Sequence, residues 1–445
     1  MRGVLIAAPA SGQGKTTVTL GLLRALRDQG VRVASGKSGP DYIDPAFHAA
    51  ATGRPCVTLD AWAASASALR GRAAMQAIWE MPTQLAGGPA TSPSFTELLV
   101  VEGAMGAFDG AVSRGGPGKG SAAELAAALG VPMVLVVDIS HMAQSAGALV
   151  AGMAEWAREA GTDIAGVILN RVGSERHLGM ARRAVSATCP VLGAIPRDPQ
   201  LTVPSRHLGL LQAQEHGDLE ALISRAAACV AENCDMDALR AIASPIDNGT
   251  SRSIPPLGQR IAVAFDTAFS FAYWHMLQDW RDQGAEILTF SPLANEAPDA
   301  ADAVFLPGGY PELHAGQLAT ADRFMGGMRS AAGNGALIYG ECGGYMVLGQ
   351  ALIDADGHRH RMLGLLDLET SFADRRLHLG YRQLTLNYGP WAGPVNAHEF
   401  HYAATVSAKG APLGHAKDAA GTDLGPVGLI AGNVMGSFVH AIEMG

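Results

Sequence analysis

A glycine-rich turn near the start of the chain contains the residue types that bind phosphate groups. The apolar run Gly3–Ala8 predicts a strand, Lys15–Gln29 predicts a helix, and the letters APASGQGKTT connect them. Backbone N–H groups at the start of a helix bind anions, a lysine neutralises phosphate charge, and a hydroxyl can bind Mg²⁺. The residues that supply these groups are Gly12, Gly14, Lys15, Thr16 and Thr17. The usual Gly-x-x-x-x-Gly-Lys-Ser/Thr pattern is broken at its first glycine, which is Pro9, and a glycine-rich turn without a ligand is the alternative.

Carboxylates follow later strands of the predicted sheet. Glu102 comes directly after the apolar run Glu97–Val101, and Asp109 follows seven residues later. Because the carboxyl ends of parallel strands face the ligand crevice, these two carboxylates and the Thr16 hydroxyl are candidate Mg²⁺ ligands. Solvated acids in a turn are the alternative. A polar loop after the second strand, GKSGPDYIDPAFH, adds Lys37, Asp41, Tyr42, Asp44 and His48, and an ordinary connecting loop explains it equally well.

A second candidate site contains a nucleophilic cysteine. Cys342 lies in the sequence GECGG, between the apolar run Ala336–Tyr339 and a helical pattern. A sharp turn from a strand into a helix exposes the sulfur and favours the thiolate, and such a strained turn requires small neighbours. A cysteine buried in the core is the alternative. The backbone N–H groups of Gly308 and Gly309, in LPGGYPELH, would stabilise an oxyanion beside the sulfur.

A cysteine nucleophile needs a base, and three histidines are candidates. His440, in GSFVHAIE at the end of the last predicted strand, is the first choice. His398 and His401, in AHEFHY, are its rivals. A structural role is the alternative for each of them.

The composition excludes several classes of protein. The 445 residues are 48% hydrophobic and 16% charged, which indicates folded domains rather than disorder. A net charge of -9 without a basic run argues against nucleic-acid binding. The five cysteines show no CxxC spacing, which argues against a zinc ribbon or a disulfide framework. Without a signal-peptide pattern or a long apolar stretch, we expect a cytoplasmic protein with no membrane partner.

Two α/β patterns follow one another along the chain. The first pattern alternates helical segments with apolar runs that are typical of buried strands in a parallel sheet. These runs are Glu97–Val101, Met133–Val137 and Ile164–Leu169. The segment SPIDNGTSRSIPPLG, residues 244–258, interrupts this rhythm and is the predicted linker. The second pattern starts at Ile261–Phe265 and ends in short strands of alternating polarity. The expected domains are residues 1–243 and 259–445.

The chain resembles the cobyrinic acid and hydrogenobyrinic acid a,c-diamide synthases over nearly its whole length. The motifs that carry the resemblance are, in order, APASGQGKTT, KSGPDYIDP, VEGAMGAFDG, GVILNRVGSERH, PSRHLGL, LPGGYPELHA, GECGGYMVLG and HEFHY. The resemblance implies a P-loop NTPase-like domain, similar to dethiobiotin synthetase, followed by a class I glutamine amidotransferase domain with a flavodoxin-like α/β fold. It also implies amidation of the a and c acetate groups of hydrogenobyrinic or cobyrinic acid in cobalamin biosynthesis, with ATP and glutamine as co-substrates.

The same resemblance implies roles for individual residues. Cys342 would attack the side-chain amide of glutamine with His440 as its base, and ammonia would pass to the first domain. There, ATP and Mg²⁺ would convert substrate carboxylates into acyl phosphates. The matching positions are Lys15, Thr16, Glu102 and Asp109 for nucleotide and metal, and Asp41 and Tyr42 for substrate. Many class I enzymes have a glutamate two residues after the histidine. Ile442 is found there instead, so we expect a Cys–His dyad that another group orients.

Other functions stay open on the sequence alone. A sibling enzyme that makes cobyric acid or amidates a nickel sirohydrochlorin would share these motifs. A regulatory or partitioning P-loop ATPase would share the first domain, but the cysteine turn would be superfluous there. A homodimer is one assembly compatible with the family. Candidate cations for substrate carboxylates, each with a solvated surface charge as the alternative, are Arg171, Arg206, Arg375, Arg376 and Arg382.

Overall fold

A computed structural model describes residues 1–79, 94–116, 118–201, 205–206, 209–210, 217–250 and 254–445. The chain divides into two compact units, Met1–Ser251 and Arg252–Gly445. Two parts of the predicted motifs lie outside the described residues. They are Pro204, His207 and Leu208 of the PSRHLGL motif, and residues 251–253 of the expected linker.

A parallel sheet forms the centre of the first unit. Its strands are β1 (Arg2–Ala7), β2 (Val33–Ser38), β3 (Val57–Leu59), β4 (Leu98–Glu102), β5 (Met133–Asp138), β6 (Ile164–Val172) and β7 (Val191–Pro196), and the short β8 (Ser244–Pro245) pairs with β1. Within the described part of this unit, the parallel strands follow the order β3-β2-β4-β1-β5-β6-β7. The phosphate-loop strand β1 is therefore central, and the carboxyl end of β4 lies beside it.

Helices cover the two faces of this sheet. They are α1 (Lys15–Asp28), α2 (Asp44–Thr52), α3 (Ala66–Ala74), α4 (Ala122–Leu129), α5 (Ser145–Glu159), α6 (Glu175–Val185), α7 (Leu219–Asn233) and α8 (Met236–Ile242). Successive side chains of β1 pack into different cores: Leu5 belongs to the core under α4 and α5, and Ile6 belongs to the core under α1 and α7. Burial on both faces explains why these strands are continuous apolar runs in the sequence.

The two ends of the expected linker are ordered. At one end, β8 pairs antiparallel with β1, and the Ile246 side chain packs against the core of the first unit. At the other end, Ile254 and Leu257 are buried, and Nε1 of Trp280 donates to the Ile254 carbonyl at 3.0 Å. The structured parts of both units thus extend into residues 244–258.

A second parallel sheet forms the centre of the second unit. Its elements are β9 (Arg260–Ala264), α9 (Trp274–Asp282), β10 (Glu286–Phe290), β11 (Ala303–Leu306), a 3₁₀ turn (Pro311–His314), α10 (Ala315–Ala319), α11 (Asp322–Gly333), β12 (Leu337–Glu341) and α12 (Gly343–Leu348). Across residues 254–445, the order is β10-β9-β11-β12-β22-β21, where β21 (Leu429–Ala431) is antiparallel to β22 (Val434–Ser437). The parallel strands follow the flavodoxin-like order 2-1-3-4-5, and the predicted fold class is confirmed.

Antiparallel strands complete the second unit. They are β13 (Ala351–Ile353), β14 (Arg359–Arg361), β15 (Asp367–Ser371), β16 (His378–Leu386), β17 (Gly393–His401), β18 (Ala404–Lys409), β19 (Gly414–Asp418), β20 (Asp423–Val427) and β23 (Val439–Met444). One sheet has the order β20-β19-β16-β17-β23, in which His398 of β17 pairs with His440 of β23. Within the described residues, no helix combines the length and the apolar character needed to cross a bilayer.

Candidate functional site

The glycine-rich turn of the first unit forms a cradle at the start of α1. Gly14, directly before Lys15, has a left-handed backbone with a φ of 85°. A Cβ atom on Gly14 would lie 2.3 Å from Nδ2 of Asn170, so a larger residue would displace that amide. One cavity is lined by Gly12, Gly14, Lys15, Thr16 and Thr17. The start of α1 therefore faces a cavity with the polar groups that phosphates need.

Lys15 is a buried cation in this cavity. Its Nζ donates to the carbonyl of Met105 at 2.6 Å. Burial lowers the pKa of Lys15 to about 8, although the charge of Glu102 acts in the opposite direction. A bound phosphate would supply further negative charge and stabilise the ammonium form.

Glu102 places a carboxylate beside the phosphate cradle. It ends β4 and is buried, with its Oε1 accepting from the Thr16 hydroxyl at 2.7 Å and its Oε2 2.7 Å from Nε2 of His48. Burial raises the pKa of Glu102, but the charge of Lys37 and the hydrogen bonds of His48 and Thr16 outweigh it and hold this pKa at about 2. An ionised carboxylate next to a hydroxyl is a set of oxygen donors that suits Mg²⁺. Thr16 and Glu102 therefore fit the Mg²⁺ ion that the family resemblance implies.

A second lysine and two aspartates also line this cavity. Nζ of Lys37 lies 3.1 Å from Oδ2 of Asp44, 3.7 Å from Oδ2 of Asp41, and 3.8 Å from Oε1 of Glu102. Burial and the charge of Asp41 raise the pKa of Asp44 to about 7. Oδ1 of Asp41 also accepts from the backbone N–H groups of Ile43 and Asp44, which fixes the start of α2. Asp41 thus has a structural task besides its place in the cavity.

Two other predicted residues lie outside the cavity lining. Asp109 is exposed, and its Oδ2 accepts from the backbone N–H of Gly106 at 2.9 Å. Its charge still acts on Lys15, whose pKa it raises. Tyr42 is half-buried and, like Asp109, is not among the described residues that line the cavity.

Cys342 of the second unit lies on a strained turn between β12 and α12. Its backbone has a φ of 48° and a ψ of -108°, a combination that costs about 1–3 kcal/mol in a residue with a side chain. A Cβ atom on Gly344 would lie 1.9 Å from the Leu306 carbonyl oxygen, so the turn can pack against β11 only if this residue is glycine. Backbone strain of this kind is typical of a nucleophile on a sharp turn from a strand into a helix.

His440 is the histidine that the structure brings to Cys342. It is buried on β23. Both His440 and Cys342 lie close to Gly308: a Cβ atom on Gly308 would be 2.4 Å from Cε1 of His440 and 3.2 Å from Cβ of Cys342. Burial lowers the pKa of His440, but hydrogen bonds and charge from Cys342 and Glu341 outweigh it and raise this pKa to about 9. Cys342 and Glu341 therefore favour the protonated form of His440.

Glu341 is a site residue that the sequence analysis missed. Its buried Oε2 lies 3.5 Å from Nδ1 of His440, and its Oε1 accepts from the backbone N–H of Ala441 at 3.1 Å. It therefore lies on the Nδ1 side of the imidazole, where the usual class I glutamate would act, although it directly precedes the cysteine instead of following the histidine.

The rival histidines have other surroundings. His398 is buried, and burial together with the charge of His440 lowers its pKa to about 3, so it stays neutral. Nε2 of His401 lies 2.9 Å from Oε1 of Glu399. His401 lines the pocket of Cys342, but a carboxylate other than Glu341 orients its ring.

The Gly308–Gly309 segment lies against the cysteine turn. The Gly308 carbonyl accepts from the backbone N–H of Phe271 at 2.9 Å, so the N–H of Gly309, in the same trans peptide unit, points the other way. A Cβ atom on Gly343 would lie 3.1 Å from this nitrogen. Gly309 also lines the pocket of Cys342, which favours the predicted oxyanion role of its N–H group.

The candidate arginines differ in their contacts. The Arg171 guanidinium pairs with Asp138 and lines the phosphate cavity. Nε of Arg382 donates to Oε2 of Glu399 at 2.7 Å, whereas Arg375 is exposed. The backbone N–H of Arg376 donates to the Tyr402 carbonyl at 3.1 Å. The side chain of Arg206 lies outside the described part of the structure; among Arg171, Arg375, Arg376 and Arg382, Arg171 is the one that lines the phosphate cavity.

Comparison with known proteins assigns the two units to families. Residues 4–211 match the CobQ/CobB/MinD/ParA nucleotide binding domain, and residues 260–444 match the CobB/CobQ-like glutamine amidotransferase domain. Several relatives are named hydrogenobyrinate a,c-diamide synthase, and two of them show the extent of the similarity. The one from Rhizobium meliloti (strain 1021) is 53% identical over 448 residues, covering 100% of this chain and 99% of its own length. The one from Rhodobacter capsulatus is 48% identical over 450 residues, covering 99% of this chain and 98% of its own length. With such identity over its full length, the chain belongs to the family of hydrogenobyrinate a,c-diamide synthases.

Proposed function

We propose that this protein uses ATP and glutamine to amidate the a and c acetate groups of hydrogenobyrinic acid. The observation that carries the proposal is the presence, in one chain, of a cysteine–histidine pair in an amidotransferase domain and a buried lysine in a phosphate cradle. The names of the full-length relatives support the choice of substrate. A cytoplasmic location and a homodimeric assembly stay predictions from the sequence.

The second unit would release ammonia from glutamine. The Cys342 thiolate attacks the amide carbon of the side chain, and the Gly309 N–H stabilises the oxyanion that forms. As the carbon–nitrogen bond breaks, the His440 imidazolium gives its proton to the departing nitrogen, and ammonia leaves a γ-glutamyl thioester on Cys342. Neutral His440 then takes a proton from water, which attacks the thioester and releases glutamate.

The first unit would activate the substrate. The terminal phosphoryl group of ATP moves to an acetate oxygen and gives an acyl phosphate and ADP, and ammonia then displaces phosphate to give the amide. Lys15 and the N–H groups at the start of α1 hold the phosphates. Thr16 and Glu102 would hold Mg²⁺, which neutralises phosphate charge when bound. Asp109 as a further ligand, and Asp41 and Tyr42 as substrate contacts, stay predictions.

The number of amide groups in the product tests this function. With ATP, Mg²⁺ and glutamine, we expect mass spectrometry to show a monoamide and then a diamide of hydrogenobyrinic acid, with one ATP consumed for each amide. Metal-free and cobalt-containing acids should be compared in parallel. Four further amidations of a diamide would indicate a cobyric acid synthase. If neither acid were amidated, the substrate would be another tetrapyrrole.

Glu341→Gln should shift the pH profile of glutamine hydrolysis. The Glu341 carboxylate stabilises the His440 imidazolium, so its replacement by an amide should lower the His440 pKa below about 9. The protonated form is then lost at a lower pH, and the alkaline limb of kcat should move in the acidic direction. Glutamate formation measured across pH checks this, with Glu369→Gln as a control. A lower kcat with an unmoved limb would contradict the electrostatic role.

A further inference from the structure

The pocket beside Cys342 contains a carboxylate that the cysteine–histidine pair does not use. Glu312 lies on the 3₁₀ turn three residues after Gly309. Glu312 lines this pocket together with Gly309, Cys342, His401 and several apolar side chains. Oε2 of Glu312 is buried and has no hydrogen-bond partner within the described residues. Since a buried polar atom without a partner is costly, this oxygen favours a ligand that supplies a donor.

The surroundings of Glu312 favour a cationic ligand group. Burial raises the pKa of Glu312 to about 8, against the opposing charge of Arg375. A carboxyl group in this state receives little compensation for its negative charge from the protein itself. An ammonium group that entered the pocket would form a charge-assisted hydrogen bond and restore the ionised form.

His401 lines the same pocket and is a candidate for a second acceptor. Its Nε2 faces Oε1 of Glu399, and Nε of Arg382 donates to Oε2 of that carboxylate. Burial raises the pKa of Glu399, but His401 and Arg382 outweigh it and hold this pKa at about 2. An ionised Glu399 accepts the Nε2 proton of His401, so in the neutral ring the lone pair is on Nδ1. This Nδ1 is buried and has no hydrogen-bond partner in the part of the chain that the structure describes.

We propose that Glu312 binds the α-ammonium group of glutamine in the pocket of Cys342, with Nδ1 of His401 as a second acceptor. The inference rests on the proposed function, because it takes glutamine as the nitrogen source. The apolar side chains of Met346, Phe372 and Phe400 line the same pocket and suit the methylene groups of glutamine. The amide then lies at the thiol, and Glu312 selects the amino-acid end of the molecule.

Glutaramate separates this role from a structural one, since it keeps the amide and the carboxylate of glutamine but lacks the α-amino group. Glutaminase activity is measured with both compounds in the presence of ATP, Mg²⁺ and hydrogenobyrinic acid. The wild-type protein should prefer glutamine. In Glu312→Gln, kcat/KM for glutamine should fall about 10- to 100-fold, the size of a lost charged hydrogen bond. In the same variant, kcat/KM for glutaramate should change little, and the rate of amidation with added ammonia should also change little.

Two variants sharpen the comparison. Glu312→Asp keeps the carboxylate and should restore part of the preference for glutamine. Glu286→Gln removes an exposed carboxylate of β10 in the same unit and should behave as the wild-type protein. Amidation with added ammonia reports whether each variant is folded in its first unit, and alkylation of Cys342 reports on the second.

The outcomes distinguish the inference from the function on which it rests. A wild-type protein that hydrolyses glutaramate as well as glutamine overturns the role of Glu312, whether or not the variants fold. A Glu312→Gln protein that keeps the wild-type preference overturns it as well. Absence of corrin amidation with either glutamine or ammonia would instead contradict the proposed function.

Discussion

Cys342→Ala should abolish amidation with glutamine and leave amidation with added ammonia near the wild-type rate. The thiol is needed only to break the amide bond of glutamine, whereas the phosphate cradle belongs to the other unit. Alanine keeps the Cβ atom of the strained turn, so the fold around it should persist. Without its nucleophile, glutamine hydrolysis should fall by roughly 10⁴-fold or more. Product formation with each nitrogen source, measured side by side, checks this.

Controls show whether the loss is chemical. Cys189→Ala removes a buried cysteine from the core of the first unit and should keep activity with both nitrogen sources. His440→Ala should resemble Cys342→Ala, with a loss of roughly 10²–10⁴-fold as expected for a general base. Glutamate production by Cys342→Ala at a rate close to that of the wild-type protein would rule out the thiol as the nucleophile.

The fold was largely predictable because its strands are buried on both faces. Runs such as Met133–Val137 indicate parallel strands, and β5 occupies Met133–Asp138. The second strand was harder. We predicted that the polar loop GKSGPDYIDPAFH starts directly after this strand, whereas β2 is Val33–Ser38 and includes Gly36, Lys37 and Ser38. They are buried in the sheet since Lys37 pairs with Asp44 and Asp41. A polar sequence can continue a strand when tertiary ion pairs compensate its charge.

The shape of the two short glycine-rich segments was predictable, because their glycine spacing is local to the sequence. The glycine-rich turn directly precedes α1, and Cys342 lies between β12 and α12, as the sequence suggested, whereas the roles of their residues stay predictions. Glu341 was missed because its contact with His440 depends on how β23 is placed relative to β12, about 100 residues earlier in the chain. The role inferred for Glu312 likewise depends on a pocket whose other walls come from distant strands.

Lys15→Ala should abolish amidation with either nitrogen source while glutamine hydrolysis survives. Lys15 is the cation at the start of α1, and its loss leaves phosphate charge without compensation while the phosphoryl group moves. We expect the rate of amide formation to fall roughly 10³-fold, since an activating charge acts in a site where water screens it poorly. ADP formation and amide formation, measured with glutamine and with ammonia, check this.

The fold should tolerate this change, which makes the result interpretable. Glu102 remains ionised in Lys15→Ala because Lys37, His48 and Thr16 still hold it, so the acidic end of β4 keeps its structure. Lys409→Ala, which removes an exposed lysine from β18 of the second unit, is the matched control and should retain amidation. If Lys15→Ala kept near-normal amidation with ammonia, Lys15 would not be the group that compensates phosphate charge. The buried Lys37, in the same cavity, would then be the next lysine to replace.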